Sequence, residues 1–371
     1  MDLKNLDIAI VGAGYAGAAT AKALSRLGAR VNVYEKAREI HEVGAGIGLR
    51  PSSLDAFRTW GILDAIEAVT SPSESFEILT ATGQRIAEEE WPEKEAFGLT
   101  TRFVHRGDFI DALIGVLPEG MVHTSRRLVG IDDAGERPVL TFDDGSTVTA
   151  DLVVGADGIR SRVRRELFSD AEPVFAGEHA YRAVIDVDAW HGLPFDDKLR
   201  MYLGHGTKIY ALPLQHRGQI SFDITALNAD PTPNPLDTKQ MIIDTVEGFD
   251  EAIVAATRDL DMDIVNIRSV YDIDPIDVWH SDDVVLVGDA AHAMCHHQGQ
   301  GANSAILDAA VLADCLAAAD TVAEALTRYQ ALRKPVTDGL QKVSREGWSE
   351  DEIDTVFPGQ KPGELAATTK E

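Results

Sequence analysis

Apolar positions change their period several times along this chain, and each change marks an element. Short apolar runs at Asp7–Val11, Val31–Tyr34, Leu152–Val154 and Val284–Val287 read as buried strands, each closed by a glycine or an acid. The stretch after the first strand reads as a helix through Leu27, with Gly28 as its stop. Leu54, Phe57, Trp60, Leu63 and Ile66 predict an amphipathic helix or helix pair over 52–67. Phe109, Leu113 and Leu117 predict another, with Asp108 as its cap. Ala302, Ala305, Ile306, Ala309, Ala310, Leu312 and Ala313 have the spacing of a helix face. Hairpins are expected around Thr82-Gly83 and Asp144-Gly145.

From about residue 174 the texture becomes alternating or apolar strands separated by turn residues, at 179–187, 199–203, 208–214 and 219–224. A polar loop over 228–240 and helices from about 238 to 258 follow, and helices return over 306–346. Residues 350–371 are polar, carry Pro358 and Pro362, and read as a loose tail. The class is α/β: a Rossmann-like nucleotide-binding domain with a mostly antiparallel sheet inserted into it and helices at its C-terminal end.

Composition narrows the functions available. A net charge of −27 argues against a nucleic-acid or anionic-membrane partner. The two cysteines, Cys295 and Cys315, make a disulfide framework implausible and suit a reducing cytoplasm. The first strand begins by about residue 7, leaving no room for a signal peptide. A soluble, cytoplasmic monomer or homodimer is expected. His292, His296 and His297 lack the partner set of a zinc site, so no metal is expected.

Chemistry enters at the glycines. Gly12-Ala-Gly14-Tyr-Ala16-Gly17 lies between strand and helix of a βαβ unit, with Glu35 at the end of its second strand. Gly12 allows the tight turn, Gly14 lets backbone approach a pyrophosphate, and Gly17 lets helix and strand pack closely. Glu35 can accept hydrogen bonds from ribose hydroxyls. This motif does not separate NAD from FAD. Lys36 and Arg38 then lead to Gly44-Ala-Gly46-Ile-Gly48-Leu-Arg50, read as a second flexible turn, and Arg38 or Arg50 is a candidate for the diphosphate. Arg106 precedes a helix, a position from which a cofactor is in reach. A second strand ends on Gly155-Ala-Asp157-Gly158, and a third on Gly288-Asp289, before the turn Gln298-Gly299-Gln-Gly301 and a helix N-terminus.

Taken together, Gly12-x-Gly14-x-x-Gly17 with Glu35, Gly155-Ala-Asp157-Gly158 and Gly288-Asp289-Ala-Ala-His292 resemble the class A FAD-dependent aromatic hydroxylases, the family of p-hydroxybenzoate and salicylate hydroxylases, over nearly the whole chain. The run Gly288–Cys295 with Leu332–Asp338 is nearest in character to pyridine-ring hydroxylases such as 2-methyl-3-hydroxypyridine-5-carboxylate oxygenase, with 6-hydroxynicotinate 3-monooxygenase more distant. The resemblance implies a GR2-type FAD-binding domain at 1–72, 104–172 and 276–350, substrate-domain strands at 73–103, a substrate-binding sheet at 173–275 and a tail at 351–371. It gives Glu35 the adenosine ribose, Arg106 the diphosphate or ribityl region, and Asp289 the ribityl chain. Asp157 and Gly158 support the cofactor. The backbone of Gln298, Gly299, Gly301, Ala302 and Asn303 lies near the flavin's pyrimidine edge. The implied reaction is reduction of bound FAD by NADH or NADPH, capture of O2 as a flavin C4a-hydroperoxide, and hydroxylation of an electron-rich ring such as a hydroxypyridine or hydroxybenzoate carboxylate. With one G-x-G-x-x-G present, the nicotinamide is expected to bind transiently.

Two departures bear on the pocket. Where the family usually has a proline, this chain has His296, followed by His297. The His and Tyr of salicylate-type relatives fall at Ala211 and Leu212, with Tyr210 nearby. His296 and His297 are therefore the first candidates for the group that holds the ring's proton, followed by Tyr210, Tyr181 and His205, and Arg182 is the candidate to pair bidentately with a substrate carboxylate. Open alternatives are a flavin-dependent halogenase, or a flavin-binding sensor or sequestering protein without turnover.

Overall fold

The computed structural model describes residues 1–40 and 44–346; the expected tail lies outside the described residues. Five parallel strands form the nucleotide-binding sheet in the order Val284–Leu286, Leu152–Gly155, Asp7–Val11, Arg30–Tyr34, Val122–His123. The chain starts in the middle strand, winds outward through helix Tyr15–Arg26, and later returns on the other side. The winding therefore reverses between Asp7–Val11 and Leu152–Gly155, and the crevice beyond the carboxyl ends of these two strands is where such sheets take ligands. Strand residues here are apolar on both faces because both are packed into one core, built from helices and from the three-stranded sheet Leu128–Asp132, Val139–Phe142 and Thr147–Thr149, so Ile8, Ile10, Val153, Val154 and Val285 are all buried.

A seven-stranded sheet runs Asn266–Asp272, Val174–Asp186, Gln219–Leu227, Thr207–Leu214, Leu199–Gly204, Ser75–Thr80, Arg85–Glu90. Its pairs are antiparallel except Leu199–Gly204 with Ser75–Thr80. Alternation gives it two unlike faces. One face packs Tyr181, Ala183, Ile209, Phe222 and Ile224 with Ile242 and Ile253 of helices Lys239–Thr245 and Glu251–Asp259. The other turns Arg182, Met201, Tyr210, Leu212 and Asp223 toward the nucleotide-binding half.

A small antiparallel sheet, Gly46–Leu49, Thr101–His105 and Thr70–Ser73, joins the two halves. So the stretch read as a second flexible turn holds a strand. Gly46 explains how it docks: a Cβ there would stand 2.5 Å from Leu212 Cδ2, and its N–H donates to Ser221 Oγ at 2.7 Å. The 52–67 region is a helix pair, Pro51–Thr59 and Leu63–Glu67. Asp108 does not cap its helix, which begins at Arg106; its two carboxylate oxygens instead accept from Arg217 Nη1, at 2.8 Å each. Helix Gly301–Ala318 is long and apolar enough to cross a bilayer, but 56% of it is buried inside the fold, against helices Tyr15–Arg26 and Val322–Glu346.

Candidate active site

Where the two halves meet lies a cavity of about 510 Å3, a size suited to a ring-bearing ligand. Gly14, Ala16, Gly158, Asp289, Gln298, Gly299, Gly301 and Ala302 form the nucleotide-binding side, with Gly48, Arg50 and Arg106 beside them. Arg182 and Tyr210 line it from the other half, and His296 and His297 from the loop that joins Asp289 to Gln298. These residues come from seven separate parts of the chain, and only tertiary packing brings them together.

Local geometry explains the glycines. Gly12 has φ +101, and a Cβ on it would lie 2.4 Å from the carbonyl oxygen of Ala156, so the two strand ends touch backbone to backbone. A Cβ on Gly17 would meet the Gly12 oxygen at 1.9 Å, which is why helix Tyr15–Arg26 can sit so close. Gly14, Gly158, Gly299 and Gly301 differ: a Cβ on any of them would meet nothing within 4 Å. Their backbone faces open cavity, and helices Tyr15–Arg26 and Gly301–Ala318 both start there, so two positive dipole ends point into one space. Glu35 stands behind the first turn, its Oε2 accepting from Ala13 N–H at 2.9 Å and its Oε1 from Ala37 N–H at 2.8 Å. Asp289 opens into the cavity, and the surrounding protein holds its carboxyl above the usual carboxylate range although His292 and Arg106 pull the other way.

Behind Asp289 is a fully buried ion-pair group that fixes the turn. Asp308 accepts from Gly288 N–H at 2.8 Å and from Arg333 Nε at 2.7 Å, and lies 2.6 Å from His292 Nε2. Burial works to raise its pKa, but His292 and Arg333 overcome this and hold it at about 2.

The substrate-side wall carries two polar chains. Arg182 Nε donates to Asp223 Oδ2 at 2.6 Å; Thr225 Oγ1 donates to Asp223 Oδ1 at 3.0 Å and lies 2.8 Å from His296 Nε2. Because the threonine proton goes to Asp223, His296 Nε2 is the donor of that bond and Nδ1 keeps its lone pair. Burial, then Arg182 and His297, push the His296 pKa well below the ordinary histidine value, so this ring is neutral. The second chain runs Tyr210 Oη to His297 Nδ1 at 3.4 Å, His297 Nε2 to Glu178 Oε2 at 2.9 Å, and Glu178 Oε1 to Lys208 Nζ at 2.9 Å. Phe76, Trp91, Phe103, Leu199, Met201 and Leu212 supply the apolar lining.

Several expected residues lie elsewhere. Tyr181 is on the opposite face of its strand from Arg182 and is buried over the helices, where its hydroxyl donates to Asp237 at 2.8 Å. His205 is exposed in the hairpin turn between Leu199–Gly204 and Thr207–Leu214, outside the cavity lining. Lys36 and Arg38 are exposed and also outside it. Asp157 turns away to start helix Arg162–Leu167, accepting from Ser161 Oγ at 2.5 Å and Arg162 N–H at 2.6 Å; Ala156 and Gly158 are the residues of that motif that face in. Asn303 spends its amide on protein: Oδ1 accepts from Arg50 N–H and Ser53 Oγ, each at 2.8 Å, and Nδ2 donates to Gly48 and Gly299 carbonyls at 2.9 and 3.1 Å. It positions the cavity wall without lining it. Gly12 and Gly17 likewise shape the turn from behind. The sequence reading missed Glu178, Asp223, Asp308 and Arg333. A signal existed for Asp223: Ser221, Asp223 and Thr225 put polar groups on one face of a strand whose other face is Ile220, Phe222, Ile224 and Ala226.

A parallel nucleotide-binding sheet, cavity-facing glycine turns at its switch point and a ring-sized chamber roofed by a second sheet define a dinucleotide-cofactor enzyme with its substrate chamber beside the cofactor site. Comparison with known proteins agrees: the chain belongs to the family described as FAD binding domain, matched over residues 5–344. It is 32% identical to 6-hydroxynicotinate 3-monooxygenase of Pseudomonas fluorescens, over 91% of this chain and 90% of that one. It is also 32% identical to salicylate hydroxylase of Pseudomonas putida, over 92% and 85%. The fold matches that of Klebsiella pneumoniae HpxO, solved with FAD and uric acid, with a TM-score of 0.85 at 23% identity over 93% and 88% of the chains. The protein is an FAD-dependent aromatic-ring monooxygenase.

Proposed function

We propose that this enzyme hydroxylates a small ring of the hydroxypyridine- or hydroxybenzoate-carboxylate type, with NADH or NADPH as reductant and O2 as oxidant. The observation that carries this is the single cavity holding the glycine turns and Asp289 on one side and Tyr210, His296 and His297 on the other. FAD fits the open glycine backbone at Gly14, Gly158, Gly299 and Gly301 and the two helix N-termini. When bound and reduced, it supplies an electrophilic oxygen atom from O2.

The chain's own work is to place the ring, exclude water and hold a proton. A ring hydroxyl gives more electron density to the ring as it loses its proton. Tyr210 faces the cavity with its hydroxyl 3.4 Å from His297 Nδ1, and the Glu178 carboxylate 2.9 Å from Nε2 favours the tautomer that carries its proton there and leaves Nδ1 as the acceptor. A proton leaving the substrate at Tyr210 is thus accepted at His297 Nδ1, and Glu178 stabilises the resulting imidazolium. Neutral His296 offers Nδ1 as a second acceptor for a ring N–H or O–H. On this reading residues 1–72, 104–172 and 276–350 serve the cofactor, and 73–103 and 173–275 the substrate.

The test is NADH and NADPH consumption by FAD-loaded enzyme against a panel of hydroxypyridine and hydroxybenzoate carboxylates, with products weighed by mass spectrometry. Consumption with a gain of one oxygen is the expected result. Peroxide as the only product, or no consumption, overturns the reading in favour of ligand binding without turnover.

A further inference from the structure

Four basic side chains on or beside the cavity wall are candidates to meet an anion, and three are already committed. Arg182 is paired with Asp223 at 2.6 Å, Lys208 with Glu178 at 2.9 Å, and Arg106 Nε holds the Tyr15 hydroxyl at 2.9 Å. Arg50 differs. Its guanidinium carbon lies 4.1 Å from the centroid of the Trp91 ring, and its Nη1 is buried with no hydrogen-bond partner. Burial lowers its pKa to about 10, against the pull of Glu93, so it is charged at neutral pH; the Glu93 carboxylate itself takes the Ser52 N–H at 3.1 Å.

A second unpartnered donor stands beside it. In the small sheet Gly48 pairs with Phe103 and Leu49 with Arg102, so the next step of the register sets Arg50 opposite Thr101. Thr101 is fully buried, lines the same cavity, and its Oγ1 also has no hydrogen-bond partner. Gly48 leaves room: a Cβ there would already be 3.6 Å from Phe103 and 3.9 Å from Thr101 Cγ2. Buried donors without partners are rare in folded proteins, and a desolvated guanidinium is costly unless an acceptor reaches it.

We propose that Arg50 and Thr101 form the subsite for the carboxylate of the aromatic substrate. This rests on the ring-hydroxylation reading and assigns to Arg50 the part that sequence had offered to Arg182. One carboxylate supplies acceptors for both donors, charge-assisted at the guanidinium. Trp91, which holds the guanidinium, and Phe103 beside Thr101 give the flat apolar surface that a ring needs. In a protein of net charge −27 such a local cation is what lets an anionic substrate enter at all. The substrate then lies with its carboxylate at Arg50 and Thr101 and its hydroxyl toward Tyr210.

The experiment titrates FAD-loaded wild type, Arg50→Gln, Arg50→Lys and Thr101→Val with two matched pairs, 6-hydroxynicotinate with its amide and 4-hydroxybenzoate with its amide. Binding is read from the flavin absorbance change, and turnover from NADH consumption. At least one acid should bind wild type about 10-fold or more tightly than its amide. Arg50→Gln should weaken that acid by about 10–100-fold with little effect on the amide. Arg50→Lys should recover part of the loss, since an ammonium keeps charge but not the fork, and Thr101→Val should cost several-fold. Flavin content should be unchanged in all. Equal binding of acid and amide by wild type, or binding of neither, overturns the subsite. So does an Arg50→Gln protein that loses FAD, which would put Arg50 on the cofactor. If Arg50→Gln fails to fold, Thr101→Val and the wild-type pairs decide. Tight, Arg50-dependent binding of an acid without oxygen transfer sinks the hydroxylase reading and leaves the subsite standing.

Discussion

Tyr210 and His297 meet hydroxyl to Nδ1 at 3.4 Å, from a strand and a loop 87 residues apart in sequence. Burial, with Asp223 and Glu178, holds the Tyr210 phenol far above its ordinary pKa, so it stays a proton donor through the neutral range. In the proposed mechanism His297 is therefore the partner that receives the proton.

Tyr210→Phe should reduce hydroxylation by about 100-fold in kcat, the order expected for removing one proton-transfer group, with FAD content unchanged. Product formed per NADH consumed is the measurement, and a drop in that ratio is expected too. Tyr181→Phe is the control. Its hydroxyl serves Asp237 on the far side of the sheet, so turnover should stay at wild-type level while stability falls by about 1 kcal/mol. Equal loss of turnover in the two variants would contradict the assignment of faces.

His296 should carry a pH signature in stability. Its folded pKa is depressed, first by burial and then by Arg182 and His297. The unfolded chain therefore binds this proton more readily, and stability present above about pH 6.5 is lost as pH falls below it. His105 and His216 are lowered by burial as well and add to the same slope. Urea midpoints at pH 7.5 and 5.5 should differ less in His296→Gln than in wild type. An unchanged difference would mean that His296 is not neutral in the fold.

Asp308→Asn should destabilise the protein by about 3–5 kcal/mol, because it strips the countercharge from buried Arg333 and alters the acceptor that His292 and Gly288 share. With its carboxyl held at about 2, below the ordinary 3.8, Asp308 contributes stability above the unfolded value that is lost as pH falls from about 4 toward 2. Acid unfolding followed by circular dichroism should lose part of its steepness in this variant.

The glycines should separate into two kinds. Gly12→Ala puts a Cβ against the Ala156 carbonyl at φ +101 and should prevent stable folding. Gly14→Ala adds a Cβ that meets no protein atom within 4 Å and should fold normally yet purify without yellow flavin. Absorbance at the flavin band and the thermal midpoint together distinguish the cases.

The nucleotide-binding half was readable because its signals are local. A turn that needs Gly12 and Gly17 announces itself within six residues of sequence, and the strands on either side are apolar runs that could face only a core. His296 and His297 were readable as candidates because they interrupt a turn next to Asp289. The partners that give them chemical character were not. Asp223 and Glu178 lie on strands far along the chain, and nothing near either residue says which loop it will meet. Asp157 and Asn303 looked like cofactor ligands by position, yet their side chains satisfy a helix start and two loops instead.

Sequence by itself determined the α/β class, the order of the glycine turns and the acids that follow the strands, since each depends on backbone geometry over a few residues. Tertiary structure alone decided which of two adjacent strand residues is functional. Tyr181 and Arg182 are both candidates in sequence, but a strand sends successive side chains to opposite faces. Helices Lys239–Thr245 and Glu251–Asp259 cover one face and leave the cavity to the other. That choice is set by long-range packing, and no window of local sequence contains it.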